Sequence, residues 1–487
     1  MNYLSYLQLH DELSLLAVIV LLLIYDIFAG ERAKRYFQPV AIGLFFVHTV
    51  VNCVPREAFE VSGGMYQYSP MLTYVKTILN IGTLLIFLQA HRWLSAKNIG
   101  IEANSKPALT ATAGVSTRKG EFYFLTLSTL LGMYFMMSAG HFLLFFLGIE
   151  TAALPMAALV AINKYQRESA EAGAKYILSS AFASGVSLFG ISLLYGTAGT
   201  LYFSDLATII STSPLAILAL VLFAAGLFFK ISLVPFHLWT PDVYQGAPTN
   251  ITAYLSVISK GSAVFVLFVI FTKVFGNLIA QWQTMLYIMI VVSITLANIF
   301  AIRQQNIKRF LAFSSISQAG YIMLGVISGT ALGMSTLVYY VLVYMFSNLA
   351  IFGVVALIEN RTGKLEIRNY DGFYQTNPKL AVVMMLALFS LAGIPPFAGF
   401  FSKFFIFSAA YGQGFEVLVF IALINTIISL YYYLLVVKAM FINRNSNPIE
   451  PLKSDFAMKT SLIICTAGVI GIGLFSVIFK EIAKLGF

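Results

Sequence analysis

Runs of ~20 apolar residues recur along this chain, each long enough to cross the hydrocarbon core of a bilayer. On that ruler the sequence predicts about fourteen spans, near residues 11–30, 37–54, 70–91, 121–138, 141–161, 173–195, 214–240, 250–272, 281–301, 308–328, 332–358, 379–411, 415–441 and 459–479. No stretch between them is long enough to hold a soluble domain. Only 10% of the 487 residues are charged and 59% are hydrophobic, whereas a soluble protein is about 25% charged. Backbone amides in lipid must find partners within their own segment, which helices provide. The expected fold is therefore an all-α polytopic membrane protein.

Several function classes are excluded at once. Two cysteines, Cys53 and Cys465, are too few for an iron–sulfur cluster, which takes about four ligands, and they form no disulfide framework. Neither GxGxxG after a strand nor GxxxxGK[ST] occurs, so nucleotide binding has no motif behind it. The histidines lack metal-ligand spacing, which predicts no metal site. The N-terminus, MNYLSYLQLHDELSLL, has no basic n-region and no small-residue cleavage site, so no cleaved signal peptide is expected.

The net charge of +10 follows a membrane topology rather than a nucleic-acid pattern. Twenty of the 30 lysines and arginines fall in the odd-numbered connections, among them Arg92, Lys97, Lys106, Arg118, Lys119, Lys308 and Arg309. The even-numbered connections and ends hold only Arg56, Lys273, Lys480 and Lys484. Basic loops stay cytoplasmic, so both termini are expected on the opposite, periplasmic side.

Two spans carry prolines well inside, Pro235 in 214–240 and Pro395 with Pro396 in 379–411. Interrupted helices are tolerated at membrane depth where the freed backbone faces protein or water. Aligning VPFHLW at Val234 with PPFAGF at Pro395 lays spans four to eight over spans nine to thirteen. Five is odd, so the two units would have opposite topology, an arrangement transporters use. The expected organisation is an N-terminal three-helix segment (1–120), two inverted five-helix repeats (121–272 and 281–441) with broken helices seven and twelve, and a last helix (459–479).

Ionisable residues inside the spans are the candidate site. An ammonium in hydrocarbon costs at least ~2.5–3.5 kcal/mol on insertion scales, and such residues mark ion or proton paths. Glu150 lies mid-span in HFLLFFLGIETAALPMAAL; Lys230 and Lys260 bracket the break at Pro235; Lys403 lies just past the second break. Lys175 begins span six, where it either snorkels to the interface or joins the path. His237, in PFHLWTPD, either relays protons between flanking groups or caps carbonyls that the break frees. Lys76 and Lys438, near span ends, are expected to snorkel. His48 and His141 read as packing histidines, and Ser232, Ser256, Ser259, Ser314, Ser315, Ser317 and Gln318 could hold water between the lysines.

The run PFHLWTPDVYQGAPTNITAYLSVISK resembles the antiporter-like membrane subunits of proton-pumping NADH:quinone oxidoreductase, respiratory complex I, and the bacterial subunit N type fits best. FLGIET, EAGAKYILSS, RFLAFSSISQAGYIMLG and LAGIPPFAGFFSKFFIF carry the same resemblance across spans four to thirteen. It departs at Asn250–Ile251, where the family commonly has Pro-Val, and the chain lacks the long C-terminal lateral helix of the subunit L type. The resemblance implies a chain of buried charges across the membrane centre. Glu150 and Lys230 would be its glutamate–lysine pair, with Lys175 nearby, Lys260 as central relay and Lys403 as the far lysine.

By the same resemblance the chain would be a non-redox, proton-translocating subunit in a bacterial inner membrane. Its partners would be protons, lipid and other membrane-arm subunits, including neighbouring antiporter-like ones; no nucleic acid is expected. NADH, FMN, iron–sulfur clusters and quinone would be handled elsewhere in the complex, with no cofactor in this subunit. Two rival expectations are a large subunit of a multisubunit Na+/H+ antiporter, and a structural membrane subunit whose ion pairs only hold helices together.

Overall fold

The computed structural model describes residues 7–34, 36–95, 119–163, 165–475 and 477–484. Most of the basic connection after span three, with Lys97, Lys106 and Arg118, lies outside the described residues. Each of the fourteen apolar runs is helical, and the helices are numbered here by run. Among the described residues ten helices are long and apolar enough to cross a membrane, while Phe37–Val51 and Pro378–Ala392 are shorter. The chain is thus a helical membrane protein, with one small addition. A hairpin of Phe59–Val61 paired antiparallel with Tyr66–Tyr68 links helices two (Phe37–Val51) and three (Pro70–Ser95).

Local chemistry sets the helix ends. Helix seven starts at Pro214, with the Ser213 side chain accepting from the Ala216 amide, so that cap and fixed φ coincide at the first turn. Asn306 caps helix ten, Ile307–Ser328, by accepting from the Lys308 and Arg309 amides. Thr330 caps helix eleven, Ala331–Thr362, through the Gly333 amide.

Both broken helices stop in the same way. The first piece of helix seven, Pro214–Ile231, ends because Ser232 takes a left-handed conformation (φ 67°) and the Leu233 amide closes back onto the Phe228 carbonyl at 3.0 Å. The first piece of helix twelve, Pro378–Ala392, ends at left-handed Gly393 (φ 86°), and the Ile394 amide closes onto the Phe389 carbonyl, again at 3.0 Å. This is the Schellman closure, and the equivalent residues keep the spacing of the Val234–Pro395 alignment. Span 379–411, read from the sequence as one interrupted run, is therefore two helices, Pro378–Ala392 and Ala398–Tyr411. Helix seven resumes as Trp239–Gly246. Helices six (Arg167–Ala198) and eleven are 32 residues each, and both end on a left-handed glycine, Gly199 and Gly363.

Helices eight (Thr249–Lys273), ten and eleven form the centre; the most apolar part of helix ten is buried throughout. Around them pack helix seven, both pieces of helix twelve and helix nine, Ile279–Ile302, with helix thirteen, Glu416–Phe441, against helices nine and twelve. Helices four (Lys119–Met137) and five (Phe142–Val160) cross at two glycines. A Cβ on Gly132 would come within 2.4 Å of the Ala152 amide, and one on Gly148 within 2.5 Å of the Met136 amide. That close crossing fixes the turn of helix five on which Glu150 sits.

Candidate functional site

Three lysines, two beside the helix breaks and one inside helix eight, are buried without a carboxylate in ion-pair contact among the described residues. Lys230 occupies the last turn of the first piece of helix seven and is 6% exposed. Its ammonium donates to the Ile149 carbonyl at 3.3 Å, one residue before Glu150. Glu150 lies within electrostatic range of that ammonium but makes no direct ion pair, and its Oε1 is buried with no hydrogen-bond partner. The acid and the base meet across helices five and seven, separated enough for either to change partner.

Lys260 follows a π-helical turn, Leu255–Ser259, inside helix eight. Single π turns inside α-helices recur at functional sites because they re-aim the next side chain. Here the Lys260 ammonium donates to Ser315 Oγ at 2.7 Å and to the Ser315 carbonyl at 3.2 Å, and lies 5.7 Å from the Tyr244 ring centre. Lys403, in the second piece of helix twelve, donates back to the Ala392 carbonyl at 3.1 Å, an acceptor the break sets free, and stands 4.9 Å from the Tyr321 ring. Gly393 leaves the lysine its space, since a Cβ there would lie 3.0 Å from Lys403 Cδ.

One polar face of helix ten joins the second lysine to the third. Ser315 holds Lys260, and Tyr344 donates to Ser315 at 3.0 Å. One turn on, Gln318 donates to Tyr433 at 3.1 Å and to the Leu391 carbonyl at 3.3 Å, beside the carbonyl that Lys403 holds. Tyr340 donates to Gln318 Oε1 at 2.5 Å, and Ser314 bonds Tyr433 at 2.6 Å. Two residues within this axis, Ser317 and Tyr321, bury hydroxyls with no hydrogen-bond partner among the described residues. Buried polar groups otherwise find partners, so these orphans mark positions for water. Of the serines singled out from sequence, Ser314 and Ser315 belong to the axis, and Ser256 reaches it through Asn348 at 2.7 Å and Tyr344.

Lys175 and His237 sit apart from this axis. Lys175 is half-exposed at the basic end of the molecule, where it binds Asp242 at 2.7 Å and Glu171 at 2.8 Å. Arg309 binds the other Asp242 oxygen at 2.6 Å, so Asp242 ties helix six to helix ten. His237 lies in the unwound stretch of helix seven, with Nδ1 buried and without a hydrogen-bond partner among the described residues.

Partial burial disfavours the Asp242 carboxylate, but hydrogen bonds from Lys175 and Arg309 more than offset it, so the group titrates below its ordinary value. A lowered folded value contributes stability above the ordinary aspartate range of about 4 and loses it as pH falls through the folded value. Asp242→Asn should cost no more than about 1 kcal/mol at neutral pH, because each side chain in the cluster is a third or more exposed. The deficit should close in strong acid. Thermal unfolding of variant and parent at both pH values checks this.

Two expectations from sequence are corrected. Lys76 does not snorkel: it is 2% exposed and binds Glu12 at 2.7 Å and Asp11 at 3.1 Å, both on helix one, His10–Phe28. Lys308, counted among the loop cations, is also 2% exposed; it donates to the Ala247 carbonyl at 2.6 Å and to Glu359 at 3.2 Å. Both stand at helix ends, where only the fold shows whether an acid waits within reach. Asp11, Glu12, Asp242 and Glu359 were missed for the same reason.

Residues 139–429 match the family model described as NADH:quinone oxidoreductase/Mrp antiporter, TM. That stretch holds both broken helices and every lysine of the axis. Over 481 residues the chain is 55% identical to NADH-quinone oxidoreductase subunit N of Phocaeicola vulgatus, covering 99% of this chain and 98% of that one. The chain belongs to the NADH-quinone oxidoreductase subunit N family. Among solved structures it is similar to a chain of respiratory complex I from Thermus thermophilus with bound aureothin, at 25% identity and a TM-score of 0.78, over 98% of this chain and 100% of that one. The Mrp complex of a Dietzia species contains a chain of the same fold, with a TM-score of 0.83 at 20% identity, covering 100% of this chain and 97% of that one. The matched stretch leaves out helices one to four, the end of helix thirteen and the helix Phe456–Leu474.

Proposed function

We propose that this chain moves protons across the membrane as subunit N of an NADH:quinone oxidoreductase, through Glu150, Lys230, Lys260 and Lys403. The observation that carries the reading is the set of three buried lysines held by carbonyls and hydroxyls rather than by carboxylates, with the last two joined along helix ten. An ammonium so placed has no fixed counter-charge to lock its proton. A modest change in hydration, or in the distance to Glu150, can load or release it. The subunit would have no redox chemistry and no cofactor of its own. Electron transfer in partner subunits would reach it as a conformational or electrostatic change, passed between neighbouring antiporter-like subunits. Lys175 and Asp242 stand at the cytoplasmic end, and His237 borders the first break.

Replacing Lys230 or Lys260 with alanine should leave the complex assembled and lower NADH-driven proton pumping. Loss of assembly in both would favour a merely structural role.

In this reading the chain lies in a bacterial inner membrane with both termini on the periplasmic side. Cys53, exposed after helix two, reports the side directly, because Cys465 is buried. A membrane-impermeant maleimide should label Cys53 in right-side-out vesicles and spare it in inverted ones. Labelling only in inverted vesicles would reverse the orientation.

A further inference from the structure

The densest group of buried charges lies outside the repeats, in helices one to three. Asp11 and Glu12 are 2% and 3% exposed, and Lys76 binds both. Arg56, before the hairpin, pairs with Asp11, and Tyr66 on the hairpin donates to Glu12 at 3.0 Å. Two acids face two bases, so the group is neutral in its ordinary charge state.

A surface cavity of about 510 Å³ reaches this cluster, lined by His10, Leu13, Ser14, Val51, Asn52 and Arg56. From its wall a hydrogen-bonded line runs inward. Ser14 Oγ meets His48 Nδ1 at 2.9 Å, with Asn52 donating to Ser14 at 2.9 Å. The other ring nitrogen, Nε2, meets the Tyr134 hydroxyl at 3.4 Å, and Tyr134 donates to Asn80 at 2.6 Å. A neutral imidazole donates at one nitrogen and accepts at the other, so it passes a proton by changing tautomer. Asp11, from helix one, and Lys76, from helix three, are the charges acting on that ring. Tyr134, from helix four, and Asn52, on helix two's C-terminal side, complete its polar surroundings.

The line points at the central axis. Five residues before Tyr134 on helix four, about 7.5 Å along the axis, Thr129 donates to Tyr254 at 2.8 Å. Two residues past Tyr254, Ser256 accepts from Asn348, which also donates to Tyr344, the partner of Ser315 and so of Lys260. The cavity lies at the opposite end of the molecule from the Lys175–Asp242–Arg309 cluster, because helix five runs from the hairpin end at Phe142 to the start of helix six.

We propose that helices one to three form a proton outlet, with His48 as relay and Asp11 as the negative charge that draws the proton on before it passes to water in the cavity. His48 takes the proton at Nε2 and releases one from Nδ1 through Ser14, returning to a neutral ring. The proposal rests on the proton-translocating reading above.

A charge placed in the cavity after assembly tests it. Leu13→Cys, on the cavity wall but outside the hydrogen-bonded line, in a Cys53→Ser background, is treated with a membrane-impermeant cationic methanethiosulfonate in right-side-out vesicles, which are then inverted and energised with NADH. A unit charge within about 10 Å at an effective dielectric of about 20 should slow proton passage about ten-fold. An uncharged methanethiosulfonate of similar size should leave pumping near the untreated rate, an outcome a purely structural cluster would not separate from the first. Unchanged pumping after complete cationic modification, or modification only from the inverted side, overturns the outlet. Val51→Cys, also on the cavity wall, gives the same test if Leu13→Cys does not assemble. Lys260→Ala run alongside separates the two claims: if it lowers pumping while the adduct does not, the outlet fails and the reading stands.

Discussion

Glu150→Gln should lower NADH-driven pumping strongly while the complex assembles normally. Glutamine keeps the shape of the side chain and removes the one carboxylate among the described residues that acts on Lys230. At a separation of roughly 6 Å and an effective dielectric of about 20, that carboxylate stabilises the ammonium by about 3 kcal/mol. The contact that remains, to the Ile149 carbonyl at 3.3 Å, carries no charge to replace it. Helix packing should survive, because Glu150 makes no ion pair in ion-bridge contact and its Oε1 holds no hydrogen bond in the fold. Glu150→Asp, one methylene shorter, should retain part of the rate. Pumping is compared at equal amounts of assembled complex; wild-type rates in Glu150→Gln would show that this carboxylate does not govern Lys230.

Lys76→Ala should act in the opposite way, on assembly rather than on rate. The ammonium is 2% exposed and bridges two acids of helix one. Removing one partner from a buried ionic group costs about 3–5 kcal/mol, because the other charge stays behind in low dielectric. Here two carboxylates would remain, with Arg56 reaching only Asp11. Helix three should lose its seat against helix one, and the subunit should fall in abundance in the membrane by immunoblot. Adding Glu12→Gln removes one stranded charge and should restore part of the abundance. Normal abundance in Lys76→Ala would mean that water already reaches the acids.

The residues legible in the sequence were those with no ordinary reason to be there. Lys230, Lys260 and Lys403 sit inside apolar runs, and the fold buries all three, Lys230 and Lys403 beside the breaks and Lys260 after a π turn. The paired breaks were legible too, and the shared closures at Leu233 and Ile394 show why: each helix must end where its backbone turns left-handed. Lys76 and Lys308 were misread because a lysine near a span end looks the same whether it reaches water or an acid. Its acids are far off in the chain: Asp11 lies 65 residues before Lys76, and Glu359 lies 51 after Lys308. The π turn before Lys260 left no mark, since Leu255–Ser259 has ordinary helical composition. The hairpin escaped because its strands are three residues each, too short for an alternating pattern.

Protons translocated per NADH oxidised, measured in vesicles carrying the Lys230→Ala/Lys260→Ala double variant at wild-type levels of assembled complex, tests the buried axis most directly. With both lysines gone, no ammonium remains between Glu150 and Lys403 to carry charge through the centre, and the ratio should fall below that of the parent while NADH oxidation continues in partner subunits. An unchanged ratio in the double variant would contradict the axis as a proton route.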